Sequence, residues 1–238
     1  MNQTLKPVLQ AETLGAQVLQ QIKEILLTGQ ITPGESLSLR SAAETLGVSM
    51  MPVRQAVYQL VADQALEVTP NRSVRVPVMS AAQFHEVTQI RLEVESYAVE
   101  KAVPNIGPAL IQSLRGLNAA LSDKLTAGGA SLSDAVLFNK TLHFSIYTAA
   151  NMPTLVKIIE SLWLRIGPIL NYDLRSGSDR TRNKVAVAHH EALISALESQ
   201  DVASARKALQ QDIETAYNYI VSQRYARQAA PREQQPAP

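Results

Sequence analysis

The sequence predicts a mainly α-helical protein, with an N-terminal winged helix-turn-helix followed by a C-terminal all-α bundle of six helices. Aromatic residues make up only 5% of the 238 residues, whereas Ala, Leu and Val are plentiful, and this composition favours helix over sheet. The first 78 residues contain three helical patterns and then two short strand patterns. From Ser80 onward we find helical periodicity and no strand pattern.

Three helices are predicted in the N-terminal part. Residues 11–28 place apolar side chains on one helical face, and a Pro-Gly turn follows them. Ser38 can cap a short second helix, and Gly47 supplies a left-handed stop after it. Ser49 is placed to cap the third helix, which extends to about residue 64. This order of helix, turn and helix is typical of a helix-turn-helix.

Two short strands are expected after the third helix. Residues 66–69 and 74–77 have strand patterns, and the loop of residues 70–73 joins them. Three helices followed by a two-stranded ribbon form the winged helix-turn-helix pattern. In proteins of this class the second helix of the motif enters the major groove of DNA.

Proline and glycine residues divide the second part of the chain into six helical segments. A run of helices without strands predicts a helical bundle. The six segments are residues 80–102, 107–127, 131–150, 153–174, 179–199 and 202–224. Residues 227–238 are rich in Pro, Gln and Ala, and we expect this tail to be disordered.

Composition and charge exclude several classes of protein. The chain has no cysteine, so disulfides and thiolate metal sites are not available. No segment has the pattern of a signal peptide or the length of a membrane span, and we expect a cytoplasmic protein without membrane contact. The net charge is +1, and the first 78 residues contain six cations and six anions. DNA contacts are therefore expected from a few placed residues rather than from a global positive field.

The third helix is the expected recognition helix. Because its Val and Leu residues face inward, Met50, Met51 and Arg54 lie on the opposite side, at the end that normally reaches base edges. Arg54 can form a bidentate contact with guanine or hold a phosphate. Further contacts with double-stranded DNA are expected from the preceding helix, the helix start and the wing, namely from Arg40, Ser49, Asn71 and Arg72.

Two segments, residues 31–37 and 46–57, resemble the GntR family of bacterial regulators. The family pattern has a Pro-Gly turn, then Leu-Gly-Val-Ser-Arg-Thr-Pro-Val-Arg-Glu-Ala-Leu, and later a wing with Asn-Arg-Gly. The resemblance covers most of residues 14–78. It implies that Arg40 and Arg54 contact DNA.

The sequence departs from this family pattern at four positions. Met50 and Met51 occupy the Arg-Thr positions, Gln55 replaces Glu, and Ser73 replaces the wing Gly. The family's polar readout is therefore absent at the two Met positions. Met50 and Met51 either contact thymine methyl groups or weaken binding, and we favour a changed operator sequence.

A group of polar residues falls on the inner faces of the bundle helices. Asn139 and His143 are one turn apart in the third bundle helix, and His190 lies in a later helix. Asp212 falls within the buried stripe of the last helix, where a carboxylate needs a partner. The two imidazoles and the amide can supply that partner, or all four can share a divalent metal.

The second part of the chain resembles the FCD ligand-binding domain, which follows the winged helix in a large GntR subfamily with FadR-like and VanR-like forms. Six bundle helices suit the shorter, VanR-like form. The matching features are Arg91 with Glu95, Leu142-His143, the segment His190-Glu191-Ala192-Leu193-Ile194, Asp201, Ala205 and Ala208.

This resemblance has implications for metal and effector binding. Many members bind a metal through an Asp, a His four residues later, and two further His residues. Here those positions are Asn139, His143, His190 and Asp212, which retain one anionic ligand. The resemblance implies a divalent metal of the Zn, Ni or Mn type, or else a hydrogen-bonded polar cluster that lines an effector pocket without metal.

Many relatives also respond to small organic acids, so the resemblance implies a carboxylate effector. Arg91 and Arg165 are candidate anchors for that carboxylate, and each is alternatively a structural ion-pair partner. The candidate effector site consists of Arg91, Asn139, His143, Arg165, His190 and Asp212.

These patterns together predict a sequence-specific transcriptional regulator, with residues 1–78 binding DNA and residues 79–226 binding the effector and dimerising. A homodimer would place two recognition helices on a near-palindromic operator, and the effector would relieve repression. Two alternatives remain open. One is a metal-dependent enzyme that uses His143, His190 and Asp212, and the other is a DNA-binding dimer that senses no effector.

Overall fold

The computed structural model describes residues 13–175 and 178–225. Within these residues the chain forms ten α-helices and three short strands, in the two-part arrangement that the sequence predicts. Buried apolar side chains of the winged helix and of much of the bundle belong to one cluster. The predicted tail of residues 227–238 lies outside the described residues. Among the described helices, none combines the length and the apolar character that crossing a bilayer requires.

Three helices build the N-terminal part, namely α1 (Leu14–Leu27), α2 (Leu39–Leu46) and α3 (Met50–Ala62). The Ser38 hydroxyl accepts a hydrogen bond from the backbone N–H of Ser41 and so caps α2. Gly47 ends α2 with a φ of +64°, a left-handed conformation in which glycine avoids a Cβ clash. The predicted cap and stop of α2 are both present.

Ser49 occupies the N-cap position of α3, but its side chain makes no capping hydrogen bond. This corrects the expectation that Ser49 caps the helix through its hydroxyl. An N-cap side chain accepts from the second or third backbone N–H of the helix. The third helical residue is Pro52, which has no N–H to donate. Ser49 remains exposed at the start of α3.

The wing belongs to a three-stranded antiparallel sheet rather than to the predicted two-stranded ribbon. Strands β1 (Ser36–Leu37), β2 (Glu67–Val68) and β3 (Val74–Arg75) are ordered β1-β3-β2. Arg75 of the central strand pairs with Ser36 on one side and with Glu67 on the other. A strand of two residues is too short to show alternation, so β1 had no recognisable sequence pattern.

The bundle contains seven helices among the described residues. They are α4 (Ala81–Ala102), α5 (Pro108–Ala127), α6 (Leu132–Ala149), α7 (Pro153–Arg175), α8 (Asp179–Arg182), α9 (Val185–Glu198) and α10 (Val202–Ile220). Five of the six predicted segments correspond to single helices. The predicted helix over residues 179–199 was wrong in one respect, because α8 and α9 divide it.

The break between α8 and α9 accompanies a tertiary contact of α8. Lys184 adopts a φ of +53°, a conformation that an L-residue rarely holds and that a right-handed helix cannot include. The buried Arg180 of α8 pairs with Asp173 of α7 at 3.2 Å. This ion pair holds α8 against the C-terminal end of α7, and hydrophobic periodicity along the chain contains no sign of it.

The first and last parts of the bundle meet at the junction with the winged helix. Ser80 and Gln83 form a capping box that begins α4. After α10, a π-helical turn (Val221–Tyr225) carries the Tyr225 hydroxyl to the carbonyl oxygen of Met79, at 3.1 Å. The chain segment that joins the domains is thereby anchored to the end of the bundle.

Helix α1 of the winged helix packs along α7 of the bundle. Lys23 Nζ lies 2.6 Å from Glu160 Oε2. Farther along both helices, Asn171 Nδ2 donates to the backbone oxygen of Leu27 at 2.7 Å, in a buried environment. The DNA-binding part is therefore seated directly on α7.

Candidate functional site

The exposed face of α3 carries the expected DNA-reading side chains. Arg54 and Gln55 are exposed, and the Met51 and Tyr58 side chains are 64% and 67% exposed. The opposite face is buried against α1 and the rest of the winged helix. It consists of Pro52, Val53, Ala56, Val57 and Leu60. An exposed face with one cation and two large apolar side chains is suited to contact with both phosphate and base edges.

The two methionines at the start of α3 have different environments. Met50 is half-buried and packs against the hydrophobic core. Met51 projects from the helix together with Arg54. Met51 is therefore the apolar side chain that stands in the position of a base reader, while Met50 supports the helix start.

Arg40 in α2 is exposed and pairs with Glu44 one turn later, with a distance of 3.0 Å between Arg40 Nε and Glu44 Oε1. An exposed pair of this kind contributes little to stability. A DNA phosphate can therefore replace the Glu44 carboxylate at small cost.

The wing loop is held by its own side chains. The Asn71 side-chain oxygen accepts hydrogen bonds from the hydroxyls of Thr69 and Ser73. The backbone N–H of Arg72 donates to the Thr69 oxygen at 2.8 Å. Arg72 has a φ of +63° and is exposed at the tip. Asn71 thus shapes the loop, and Arg72 is the cation that the loop presents.

A second group of predicted residues meets inside the bundle. His143 of α6, His190 of α9 and Asp212 of α10 are buried. The two Nε2 atoms are 3.1 Å apart. Asp212 Oδ2 lies 3.4 Å from His143 Nε2 and 3.9 Å from His190 Nε2. The three ligand atoms all lie within 4.8 Å of one another.

Neighbouring groups determine which nitrogen of each imidazole carries the proton. Asn118 Nδ2 donates to the Val187 oxygen, so Asn118 Oδ1 faces His190 Nδ1 at 3.3 Å and accepts from it. The Tyr147 hydroxyl donates its single proton to Glu95. Its oxygen therefore accepts from His143 Nδ1 at 3.2 Å. Both histidines carry hydrogen on Nδ1, which leaves both Nε2 lone pairs pointing into the cluster.

This arrangement concentrates lone pairs and negative charge in one buried place. Burial lowers the pKa of His190 to about 3. Burial by itself would raise the pKa of Asp212, but its contacts with His143 and His190 and the charge of Arg180 lower it. A cation among the three ligand atoms would remove their mutual repulsion. Two imidazoles and one carboxylate are ligands that Zn²⁺ and similar divalent metals accept, so these residues fit a metal.

The His-His-Asp cluster, defined as His143, His190 and Asp212, borders a small cavity of about 30 Å³. Asn139 lines the same cavity one turn before His143, as the sequence predicts. Arg91, Trp163, Leu170, Leu174 and Arg180 also line it. The cavity has room for about one water-sized group in its present form.

Arg91 belongs to a buried network of hydrogen bonds and ion pairs beside the cavity. Its guanidinium pairs with Glu95 at 2.6 Å and lies 5.2 Å from the centre of the Trp163 ring. Burial by itself lowers the pKa of Arg91, but the charge of Glu95 and its hydrogen bond, together with Tyr147 and Asp212, outweigh burial, so the pKa is raised. Trp163 Nε1 also donates to Glu95 at 3.0 Å. Arg91 thus orients Glu95, which orients Tyr147 and, through it, His143.

Two arginines differ from the sequence-based expectation. Arg180 lines the cavity, although sequence reasoning missed it because a four-residue helix has no periodicity to recognise. Arg165 was expected beside the effector, but the structure does not bring it to the cluster. It lines a crevice between α7 and the winged helix instead.

Comparison with known families gives two matches, one for each part of the structure. The family described as bacterial regulatory proteins, gntR family, matches residues 14–76. The FCD domain matches residues 86–215, which is more than half of the chain.

Individual proteins match over most of their length. The HTH-type transcriptional regulator McbR of Escherichia coli K12 is 33% identical over 209 residues, covering 86% of this chain and 93% of that protein. The HTH-type transcriptional repressor GlaR of the same organism is 24% identical, covering 82% of this chain and 90% of that protein. The solved structure of E. coli McbR/YncC has a TM-score of 0.81 at 31% identity, over 90% of this chain and 99% of that chain.

Proposed function

The chain belongs to the GntR family of bacterial regulatory proteins with an FCD domain, and on this premise we propose how it reads DNA and how its bundle controls that reading. The chain is a DNA-binding transcriptional regulator, as its relatives are named. Because those relatives are regulators, the alternative of a metal-dependent enzyme has no support.

In our proposal α3 enters the major groove, with Arg54 on a guanine or a phosphate and Met51 against a thymine methyl. Arg40 and the exposed Ser49 contact the backbone beside it, and Arg72 extends from the wing. The observation that supports this most directly is the exposed face of α3, where Met51 and Arg54 stand side by side. A homodimer would apply two such faces to one near-palindromic site.

The test is operator binding by Arg54→Ala, on a site selected from random DNA with the natural protein. We expect an affinity loss of about 5-fold to 150-fold, since a bidentate arginine contact contributes about 1–3 kcal/mol. Lys207→Ala is the matched control, because it removes an exposed cation from α10, outside the winged helix. Equal affinities of the two variants at moderate salt would contradict the role of Arg54.

We also propose that His143, His190 and Asp212 hold a divalent metal of the Zn, Ni or Mn type, with Asn139 beside them. A bound metal would supply a Lewis-acid position for the carboxylate of a small organic effector. Arg180 would contribute positive charge on the other side of the cavity. Because the cavity is only about 30 Å³, effector entry requires that the wall formed by α8 move outward.

Elemental analysis of the purified protein tests the metal. We expect about one divalent ion per chain, and its loss in His143→Ala. His189→Ala is the control, because His189 is adjacent to a proposed ligand and is not in the cluster. Metal content near zero in the natural protein after loading and desalting would favour a hydrogen-bonded cluster without metal.

Effector binding would act on DNA binding by shifting the population of domain arrangements. The packing of α1 against α7 supports this proposal. Helix α7 also supplies Trp163, Leu170 and Leu174 to the cavity wall. We expect the effector to relieve repression. A panel of small carboxylates, tested for release of the selected operator, checks this. If no compound changes either DNA affinity or melting temperature, the protein is a DNA-binding dimer that senses no effector.

A further inference from the structure

The crevice that contains Arg165 is a second cavity, separate from the His-His-Asp cluster. Its volume is about 400 Å³, which lies within the range of small-molecule pockets. Strand β2 and the end of α3 form one wall, the segment between the domains forms the opposite wall, and α7 supplies Arg165. We call it the interdomain crevice and define it by Leu66, Val68, Val78, Met79 and Arg165.

Arg165 is the feature that the rest of the fold leaves unexplained. Its Nε is shielded from solvent and has no hydrogen-bond partner. Among the described residues, no carboxylate forms an ion pair with its guanidinium. The two arginines that the structure describes as buried, Arg91 and Arg180, are each paired with a carboxylate. A buried N–H of a charged group that lacks a partner is costly, so an unpaired guanidinium at a cavity wall indicates a place for an anion.

The charge of the crevice is not balanced by the protein around it. Glu67 is the single carboxylate among the described lining residues. Its Oε1 lies 2.6 Å from Arg75 Nε, across the sheet. Glu67 is therefore already neutralised, and the positive charge of Arg165 remains without a counter-ion.

Apart from Gln64 and Gln83, the remaining lining residues are apolar. Leu66 and Met79 are buried, while Val68 and Val78 are 50% and 53% exposed. Two half-exposed valines that face one cleft offer an apolar surface to an occupant. A cation at one wall together with apolar side chains on the others is the pattern of a site for an amphiphilic anion.

We propose that the interdomain crevice binds a small monocarboxylate with an apolar body. The carboxylate accepts hydrogen bonds from the Arg165 guanidinium, and the apolar body lies against Val68 and Val78. Because residues of both domains and of the segment between them form the walls, such a ligand favours the domain arrangement in which the crevice exists. The protein would then have a ligand-binding site at its domain junction, in addition to the effector site proposed in the bundle.

Calorimetric titration of the full-length protein with octanoate tests the proposal. We expect saturable binding at one site per chain, with acetate and 1-octanol binding at least about tenfold more weakly because each lacks one half of the recognition. Arg165→Gln should weaken octanoate at least about tenfold. Lys157→Gln is the matched control, because it removes an exposed cation from the same helix and should leave octanoate binding unchanged.

A second variant, Val78→Glu, covers the case in which Arg165→Gln does not fold. It places a carboxylate beside the crevice at a half-exposed position, and we expect it to compete with octanoate and to reduce binding at least about tenfold.

His143→Ala separates this proposal from the proposed function, because it alters only the cluster in the bundle. Octanoate binding that survives His143→Ala but not Arg165→Gln supports the interdomain site. Binding that is lost in His143→Ala and kept in Arg165→Gln, or no saturable binding at millimolar octanoate, overturns the interdomain site and leaves the metal proposal intact.

Discussion

At the tip of the wing, Arg72 holds a left-handed backbone conformation, with a φ of +63°. A non-glycine residue pays for this conformation, and glycine would avoid the cost. The wing loop is hydrogen-bonded through Thr69, Asn71 and Ser73, which holds Arg72 in place. A DNA contact of the Arg72 side chain, as proposed above, would account for an arginine at this strained position.

Arg72→Gly should therefore separate stability from function. We expect the free energy of unfolding to rise by about 1 kcal/mol, while the affinity for the selected operator falls. Urea unfolding and fluorescence anisotropy measure the two effects. Asn151→Gly, at another left-handed position with φ +54° outside the winged helix, should leave DNA affinity unchanged. If Arg72→Gly binds the selected operator with unaltered affinity, then Arg72 does not contact the operator.

Met51 and Met50 should respond differently to substitution. Met51→Thr changes an exposed side chain, so we expect an altered preferred operator sequence and little change in stability. Met50→Thr changes a side chain that packs on the core, so we expect the free energy of unfolding to fall by about 1 kcal/mol or more. Selection from random DNA checks the first, and urea unfolding checks the second. An unchanged sequence preference of Met51→Thr would remove Met51 from the readout.

At the scale of elements, α7 is the helix that joins the cavity beside the His-His-Asp cluster to the DNA-binding part. Asn171 is the buried contact in this seat, since its Nδ2 donates to the Leu27 oxygen at 2.7 Å. Gly29 lies directly against it, because a Cβ added at Gly29 would be 2.2 Å from Asn171 Cβ. A close approach of this kind leaves no room for small adjustments between α1 and α7.

Asn171→Ala should weaken the contact between α1 and α7. The Leu27 oxygen would lose a buried donor, and we expect a loss of about 1–3 kcal/mol in the free energy of unfolding. The winged helix and the bundle should then melt less cooperatively in calorimetry. Asn218→Ala, at an exposed position of α10, is the control. If both variants melt in a single transition like the natural protein, the Asn171 contact does not couple the domains.

Helices α6, α9 and α10 bring the His-His-Asp cluster together, and its burial predicts a pH dependence of the metal-free protein. Burial lowers the pKa of His190 from its ordinary 6.5 to about 3. Between these values the unfolded chain binds a proton that the folded chain does not bind. The free energy of unfolding therefore decreases as the pH falls through this window, and stability is retained above it.

Urea unfolding of the chelator-treated protein, from about pH 7 to about pH 4, measures this loss, which we expect to be a few kcal/mol. His190→Asn should flatten the dependence because it removes the titrating group. His189→Asn, at the neighbouring half-buried position, should keep it. A slope that survives in His190→Asn would assign the pH dependence to other groups.

At the scale of the whole molecule, the low net charge limits how the protein attracts DNA. The chain carries a net charge of +1, so the counterion release on binding must come from a few arginines. With Arg40, Arg54 and Arg72 on phosphates, the slope of log K against log salt should be about −3 for each winged helix. Arg72→Ala should make this slope less steep by about one for each winged helix. Binding titrations at several salt concentrations test this, and an unaltered slope would contradict a phosphate contact of Arg72.

Much of the fold was predictable because its signals are local. Ser38 and Gly47 delimit α2 through a side-chain cap and a left-handed stop, and both depend only on neighbouring residues. The same holds for the alternation of buried and exposed positions in α3. Helix faces and family resemblance then pointed to four polar residues. Of these, Asn139, His143 and Asp212 line one cavity, and His190 contacts His143 behind it.

Errors arose where distant residues determine the outcome. The two-residue strand β1 exists because β3 pairs with it. The break between α8 and α9 accompanies the Arg180–Asp173 ion pair, which joins separate helices. The error at Ser49 is local instead: Pro52, three residues later, lacks the N–H that a capping side chain could accept from, although each residue alone is a favourable one for a helix start.

The sequence by itself determined the class of this protein, a winged helix-turn-helix followed by a helical bundle, and it predicted candidate residues for DNA and metal binding. The class follows from periodicity, caps and motif spacing, which are properties of short stretches of chain. Only the tertiary structure decided which arginines are paired with carboxylates and which cavity each of them faces. Arg91 is neutralised by Glu95, Arg180 enters the cavity, and Arg165 faces the interdomain crevice without a partner. The reason is physical, since the role of a charge depends on its solvation and on the charges near it, and folding sets both.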